Sequence, residues 1–189
     1  EELKYFIKNG SSEFSLRKDK TLEQIHWSTN RRIKLKKLFA FAFDHRKQFE
    51  DWAIKYNKNQ ESIEKFKELA LNSALSVIHE VPAAGILVDD KYGRSSLHKA
   101  SDHDIWIGRP IEDSGKYPLK LQNEEDLTSF LNEWPVNHCV KILAPVRIDD
   151  SEEIKKRYEE KLQNLFRACR NTSHEFLLEI ITGFKNKKT

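Results

Sequence analysis

Methionine is missing from all 189 residues, and the chain opens on Glu1. No start codon is represented, so this segment is expected to be part of a longer protein. No apolar run approaches the ~20 residues that a membrane-spanning helix requires, and no secretory leader opens the chain. The 6 glycines are dispersed, and none forms a loop able to cradle phosphates. Only two cysteines occur, Cys139 and Cys169, far apart and without metal-ligand spacing. Buried reduced thiols in a cytoplasmic protein are expected rather than a disulfide. No His-x-His, HExxH or cysteine cluster is present, so neither a metal ligand nor a cofactor is assigned. A formal charge of +3 with scattered Lys and Arg gives no reason to expect a nucleic-acid partner. The one compact basic run, Arg31–Lys37, is expected to be a solvated approach to the first strand.

What is present centres on Leu38–Glu50, LFAFAFDHRKQFE. Aromatic and small residues alternate strictly, with Phe39, Phe41 and Phe43 on one face and Ala40, Ala42 and Asp44 on the other. A strand with bulky side chains towards helices and small ones towards a cramped centre needs that asymmetry. Asp44, His45 and Arg46 follow where the strand ends, the position at which parallel α/β folds gather their chemistry.

Strand and helix patterns then alternate. Phe49, Trp52, Ala53 and Tyr56 have helical spacing, and Ile63, Phe66, Leu69, Ala70, Ser73, Ala74 and Val77 continue it. Further strands are expected at Ala84–Asp89, around DIWIG before Arg109 and Pro110, at Cys139–Val146 and at Phe176–Ile181. Helices are expected at Ser96–Ala100, over EDLTSFLNEW, and from an N-cap at Ser151 to about Asn171. The stretch Ile111–Asn123 reads as irregular. Strands joined by helices imply a parallel sheet with right-handed crossovers. A complete eight-stranded barrel takes ~250 residues. The expected fold is therefore α/β, a partial (β/α)8 TIM barrel of about its first five β/α units or else a smaller open sheet, with short strands carrying polar groups at their carboxyl ends favouring the barrel. Residues 1–30 read as a linker or the end of a preceding domain, and residues 31–189 as the truncated barrel.

Lys141 and Glu179 stand inside otherwise apolar strands. A buried unpaired charge is expensive, so such residues face either a polar cavity or each other. If both point inward, an ammonium and a carboxylate from adjacent strands meet in the barrel mouth. The bland reading is a structural ion pair. Asp44 and Arg46 after the first strand, Asp89 and Asp90 after the second, and Arg109 after the third would add carboxylates and guanidinium groups. Such a mouth suits a phosphorylated polyhydroxy substrate, although Asp90 and Lys91 read better as a cap or surface pair.

The stretches FAFDHRKQFE, GILVDDKYG, WIGRP, NEWPVNHCVKIL and ACRNTSHEFLLEII resemble a known family in order and spacing. They are similar to the C-terminal domain of bacterial bifunctional 5-dehydro-2-deoxygluconokinase/5-dehydro-2-deoxyphosphogluconate aldolases of myo-inositol breakdown. The resemblance runs over about residues 31–183, and it makes residues 1–30 the linker leaving a carbohydrate kinase domain. More distantly the domain resembles tagatose 1,6-diphosphate aldolases, which are Schiff-base barrels. Their aspartate and arginine after the first strand, lysine in the fourth and glutamate in the fifth correspond to Asp44, Arg46, Lys141 and Glu179. In that family the Schiff-base lysine lies on a sixth strand, which this chain does not reach.

The resemblance implies a class I aldolase that cleaves 5-dehydro-2-deoxy-D-gluconate 6-phosphate to dihydroxyacetone phosphate and malonate semialdehyde. This segment alone is expected to be inactive. Lys141, Glu179 and Asp44 would be catalytic, and Arg46, His45, Asp89 and Arg109 would bind substrate. Expected partners are the phosphorylated sugar acid and the kinase domain, with neither membrane nor nucleic acid, and homo-oligomerisation is compatible. Two other classes stay open: a metal-dependent aldolase or isomerase using Asp89, Asp90 and Glu179, and a non-catalytic scaffold module of the fusion.

Overall fold

The computed structural model divides the chain into two units, Glu1–Lys34 and Leu35–Thr189, and describes residues 37–182. The expected linker, most of the basic run and the last seven residues lie outside the described residues. The second unit contains β1 (Phe39–Ala42), α1 (Lys47–Lys55), α2 (Gln60–Val77), β2 (Ala84–Leu87), α3 (Asp90–Ser101), β3 (Trp106–Pro110), α4 (Leu127–Asn132), β4 (His138–Val146), α5 (Glu152–Asn171) and β5 (Glu175–Thr182). The strands form one parallel sheet in the order β1-β2-β3-β4-β5. Each new strand is therefore added at the same edge.

That sheet is curled. Neighbouring strands lie about 4.8 Å apart, so β1 and β4 in a flat sheet would be separated by about 14 Å. Lys141 on β4 nevertheless reaches Asp44, just beyond β1, at 3.0 Å. Only curvature brings those strand ends together, and the five strands form a curled half-barrel.

Alternation assigns the two faces. Phe43, Ile86, Val88, Ile105 and Ile107 pack outward against Ala70 and Leu71 of α2 and Leu97 and Ala100 of α3. Val140, Ile142 and Ala144 pack outward against Leu165, Ala168 and Cys169 of α5. The inner face is built small near its base. A side chain at Gly85 would strike the Trp106 carbonyl and ring, and one at Gly108 would strike Leu87 and the same ring. Trp106 therefore lies across the inner face only because both neighbours lack a Cβ.

Two expectations shift. The buried stripe of α2 is Ile63, Lys67, Ala70 and Leu71, while Phe66 and Leu69 are exposed. The helix is turned by about one residue from the expected face, because the true stripe contains a lysine. The helix after β2 also begins earlier than Ser96: Asp89 caps it by accepting from the Tyr92 amide at 2.8 Å. Gly93 departs from helical geometry within it, which separates this first turn from the helical pattern expected at Ser96–Ala100.

Candidate active site at the carboxyl ends of the strands

Lys141 projects inward from β4, since its neighbours Val140 and Ile142 face α5. Its Nζ lies 3.0 Å from Asp44 Oδ2 and 3.2 Å from Glu179 Oε2. Lys141 and Asp44 are buried, whereas the Glu179 side chain is 52% exposed. Parallel register places Leu143, two residues after Lys141, beside Glu179. The contact is thus a diagonal between inward positions of adjacent strands. Burial is the largest influence on Lys141 and works against its charge. The carboxylates of Asp44, Glu112 and Glu179 together outweigh it, and the lysine pKa stands above its ordinary value.

Arg46 crosses to the exit of β3, donating to the Glu112 carbonyl at 2.6 Å and its carboxylate at 2.5 Å. The other oxygen of Glu112 accepts from the Leu143 amide at 3.1 Å. Burial pushes the Glu112 carboxyl above its usual range, with Arg46 and Lys141 opposing that rise. The Arg46 Nε is buried without a partner. Asp44, Arg46, Glu112, Lys141 and Glu179 thus form one inward group of charges drawn from four strand ends.

Below it sits Lys67 of α2, wholly buried. Its Nζ donates to the Phe43 carbonyl at 2.6 Å and the His45 carbonyl at 2.9 Å, and pairs with Asp89. Burial lowers the Lys67 pKa despite the attraction of Asp89.

The remaining expected residues are placed differently. Arg109 does not enter the mouth: it shares the outward face with Ile107 and pairs in register with Val140. Its guanidinium lies over the Trp134 ring at 3.8 Å and 3.9 Å from Asp90, and burial brings its pKa down to about 10. One residue of alternation separates that position from the mouth. Asp89 is also withdrawn from substrate, because one carboxylate oxygen caps α3 and the other pairs with Lys67. His45 is exposed, with its ring edge-on to Phe49. Behind Arg109, burial and the nearby guanidinium push His138 down to about 4.

Glu112 and Lys67 escaped the sequence reading, though each had left a signal. Glu112 continues the inward alternation of Gly108 and Pro110. Lys67 is spaced four residues from Ile63 and from Leu71, a cation on an apolar stripe. Both cysteines are free and buried, and burial raises the Cys169 thiol to about 12. Among the described residues no group of three or more His, Cys, Asp or Glu could hold a metal ion, and no helix is long and apolar enough to cross a membrane.

A family model described as an uncharacterized protein conserved in bacteria, DUF2090, matches residues 2–189. The chain belongs to that family. No curated protein matches it.

Proposed function

We propose that this DUF2090 domain belongs to a (β/α)8 Schiff-base aldolase that cleaves a phosphorylated keto-acid sugar, 5-dehydro-2-deoxy-D-gluconate 6-phosphate. The observation that carries the reading is Lys141, buried and charged between Asp44 at 3.0 Å and Glu179 at 3.2 Å. It supports the family resemblance at the positions where that resemblance assigns chemistry.

In such a reaction a neutral lysine amine attacks the C5 ketone, and loss of water gives an iminium. Removal of the C3 hydroxyl proton breaks the C3–C4 bond and leaves the aldehyde of malonate semialdehyde. The bonding pair moves into the iminium, and protonation and hydrolysis release dihydroxyacetone phosphate. Glu179, half exposed on the inner face, would move those protons. Lys141 keeps its proton and so acts as fixed positive charge, which favours the neutral form of a neighbouring amine. Asp44 holds it in place. Arg46, with one N–H unpartnered, offers a donor to an anionic substrate group. Lys67 is fully enclosed, so the attacking amine in this reading is neither buried lysine.

The test is borohydride reduction of the protein carrying this chain, in the presence of dihydroxyacetone phosphate, followed by peptide mapping. One stable adduct is expected on a lysine other than Lys141 and Lys67. Absence of an adduct, together with no release of malonate semialdehyde from the sugar acid, would end the Schiff-base reading.

A scaffold role finds support in the apolar outer faces at the two ends of the sheet, where Phe39, Phe41 and Ile180 are at least half exposed. Concentration-dependent sedimentation without lyase activity would favour it.

A further inference from the structure

The aspartate beside Lys141 lies just past the last ladder bond of its strand, in which the Phe43 amide donates to the Leu87 carbonyl at 2.9 Å. Asp44 follows β1, where the chain leaves the sheet and turns into α1. Its two flanking residues, Phe43 and His45, both have their carbonyls bonded to one group from another layer, the Lys67 ammonium. That ammonium is pinned in turn by Asp89, which simultaneously caps α3. Lys67 thus ties the exit of β1, the exit of β2 and the helix layer to a single point. Its stem lies in the apolar stripe of α2, so burial restricts the freedom that usually makes lysine an imprecise anchor.

We infer that Lys67 is a positioning residue for the proposed lyase site, fixing the backbone on both sides of Asp44 so that its carboxylate stays against Lys141. This rests on the reading of Lys141 as the site's charge. A lysine that only filled the core would need one counter-ion; here two of its donors go to the carbonyls that bracket a site residue. Asp89, first sought as a substrate ligand, becomes the counter-ion of this brace.

The consequence is measurable without catalysis. If Asp44 drifts, Lys141 loses its closest carboxylate while its burial remains, so its proton should be released at lower pH. Removing Lys67 alone would strand Asp89 as a buried unpaired charge and endanger the fold. The informative variant is therefore Lys67→Met with Asp89→Asn, which removes both charges and keeps an asparagine as a competent N-cap.

The experiment follows the Lys141 side chain by NMR in full-chain protein carrying isotope-labelled lysine, with the signal assigned by its loss in Lys141→Arg. In the folded double variant the Lys141 titration midpoint should fall by about one pH unit, and any lyase turnover should fall by at least about tenfold. An unchanged Lys141 midpoint in a folded variant would overturn the inference. If the methionine variant does not fold, Lys67→Gln with Asp89→Asn keeps a donor for one carbonyl. Its shift should be smaller and of the same sign. Failure of both variants to fold would reduce the pair to a structural staple and also overturn it. A shifted midpoint in a protein whose wild type cleaves no sugar acid would leave the brace standing and remove the lyase reading instead.

Discussion

Lys67 and Lys141 are both buried, both paired with an aspartate, and perturbed in opposite directions. Lys67 sits under the strand ends; Asp89 is its ion-pair partner among the described residues, Asp44 attracts it more weakly, and Arg46 opposes its charge. Lys141 sits in the mouth with Asp44, Glu112 and Glu179 around it. Desolvation acts on each; at Lys141 three carboxylates outweigh it, whereas at Lys67 two carboxylates opposed by Arg46 do not. The outward histidine His138 is perturbed downward as well, to about 4, by burial, with Arg109 and His174 opposing its charge. Burial thus acts first on all three bases, and the balance of nearby anions and cations sets the direction in which each is shifted.

The largest effects should come from emptying the two lysine sites. Lys141→Met would leave Asp44 and Glu112 buried beside no ammonium, and should cost about 3–5 kcal/mol of stability, read from urea unfolding midpoints. Adding Asp44→Asn should restore only part of that loss, because Glu112, although still paired with Arg46, loses the second cation that favours its charge. At the other site Asp89→Asn should restore most of what Lys67→Met loses. Equal restoration at both sites would break the contrast between one anion and several.

Next in size is Glu179→Gln. The amide keeps the shape and removes the proton shuttle, so turnover of the proposed lyase should fall by about 10²–10⁴-fold. The half-exposed side chain makes little difference to folding, and the unfolding midpoint should stay near that of the wild type. Unfolding with unchanged activity per folded molecule would make the Lys141 cluster purely structural.

The acid limb is smaller. His138 is neutral when folded and takes a proton on unfolding, so its contribution is fully present above the ordinary histidine pKa. It is lost as pH falls towards its folded value of about 4. The fall should amount to no more than about 3–4 kcal/mol, and His138→Gln should flatten it in urea melts taken from neutral pH downward.

The smallest effect lies on the alkaline side, where the lysines pull oppositely. Stability from Lys141 is present below pH 10.5 and is lost as pH rises through its raised folded value. The term from Lys67 is fully favourable above 10.5 and shrinks as pH falls through its lowered value. Lys141→Arg and Lys67→Met/Asp89→Asn should therefore change the alkaline slope with opposite sign.

How much of this was written in the chain depends on the range of the interaction. The strict alternation of Phe39–Asp44, with small residues inward, was legible because a strand's period is local. Alternation likewise grouped Lys141 with Leu143 and Glu179 with Leu177, but that both faces point inward is set by the packing of β4 against α5. Arg109 was misplaced because nearness to a strand end was weighed above parity, and its neighbour Ile107 already faced the helices. Glu112 and Lys67 act through partners 66 and 22 residues away. Only the curl of the sheet and the seating of α2 bring those partners together. Lys67 shows the limit most plainly: the helical pattern marks it as inward-facing, but nothing local reveals that it brackets Asp44.

The most direct test of the account is the titration of the Lys67 and Lys141 side-chain amines in the wild-type chain, followed by NMR between neutral pH and the alkaline unfolding limit. The account predicts that Lys141 is still an ammonium at pH 10.5 while Lys67 has already lost its proton. A Lys141 that titrates below 10.5 would contradict it, because the inward lysine would then be a ready nucleophile rather than the fixed charge around which the site is built.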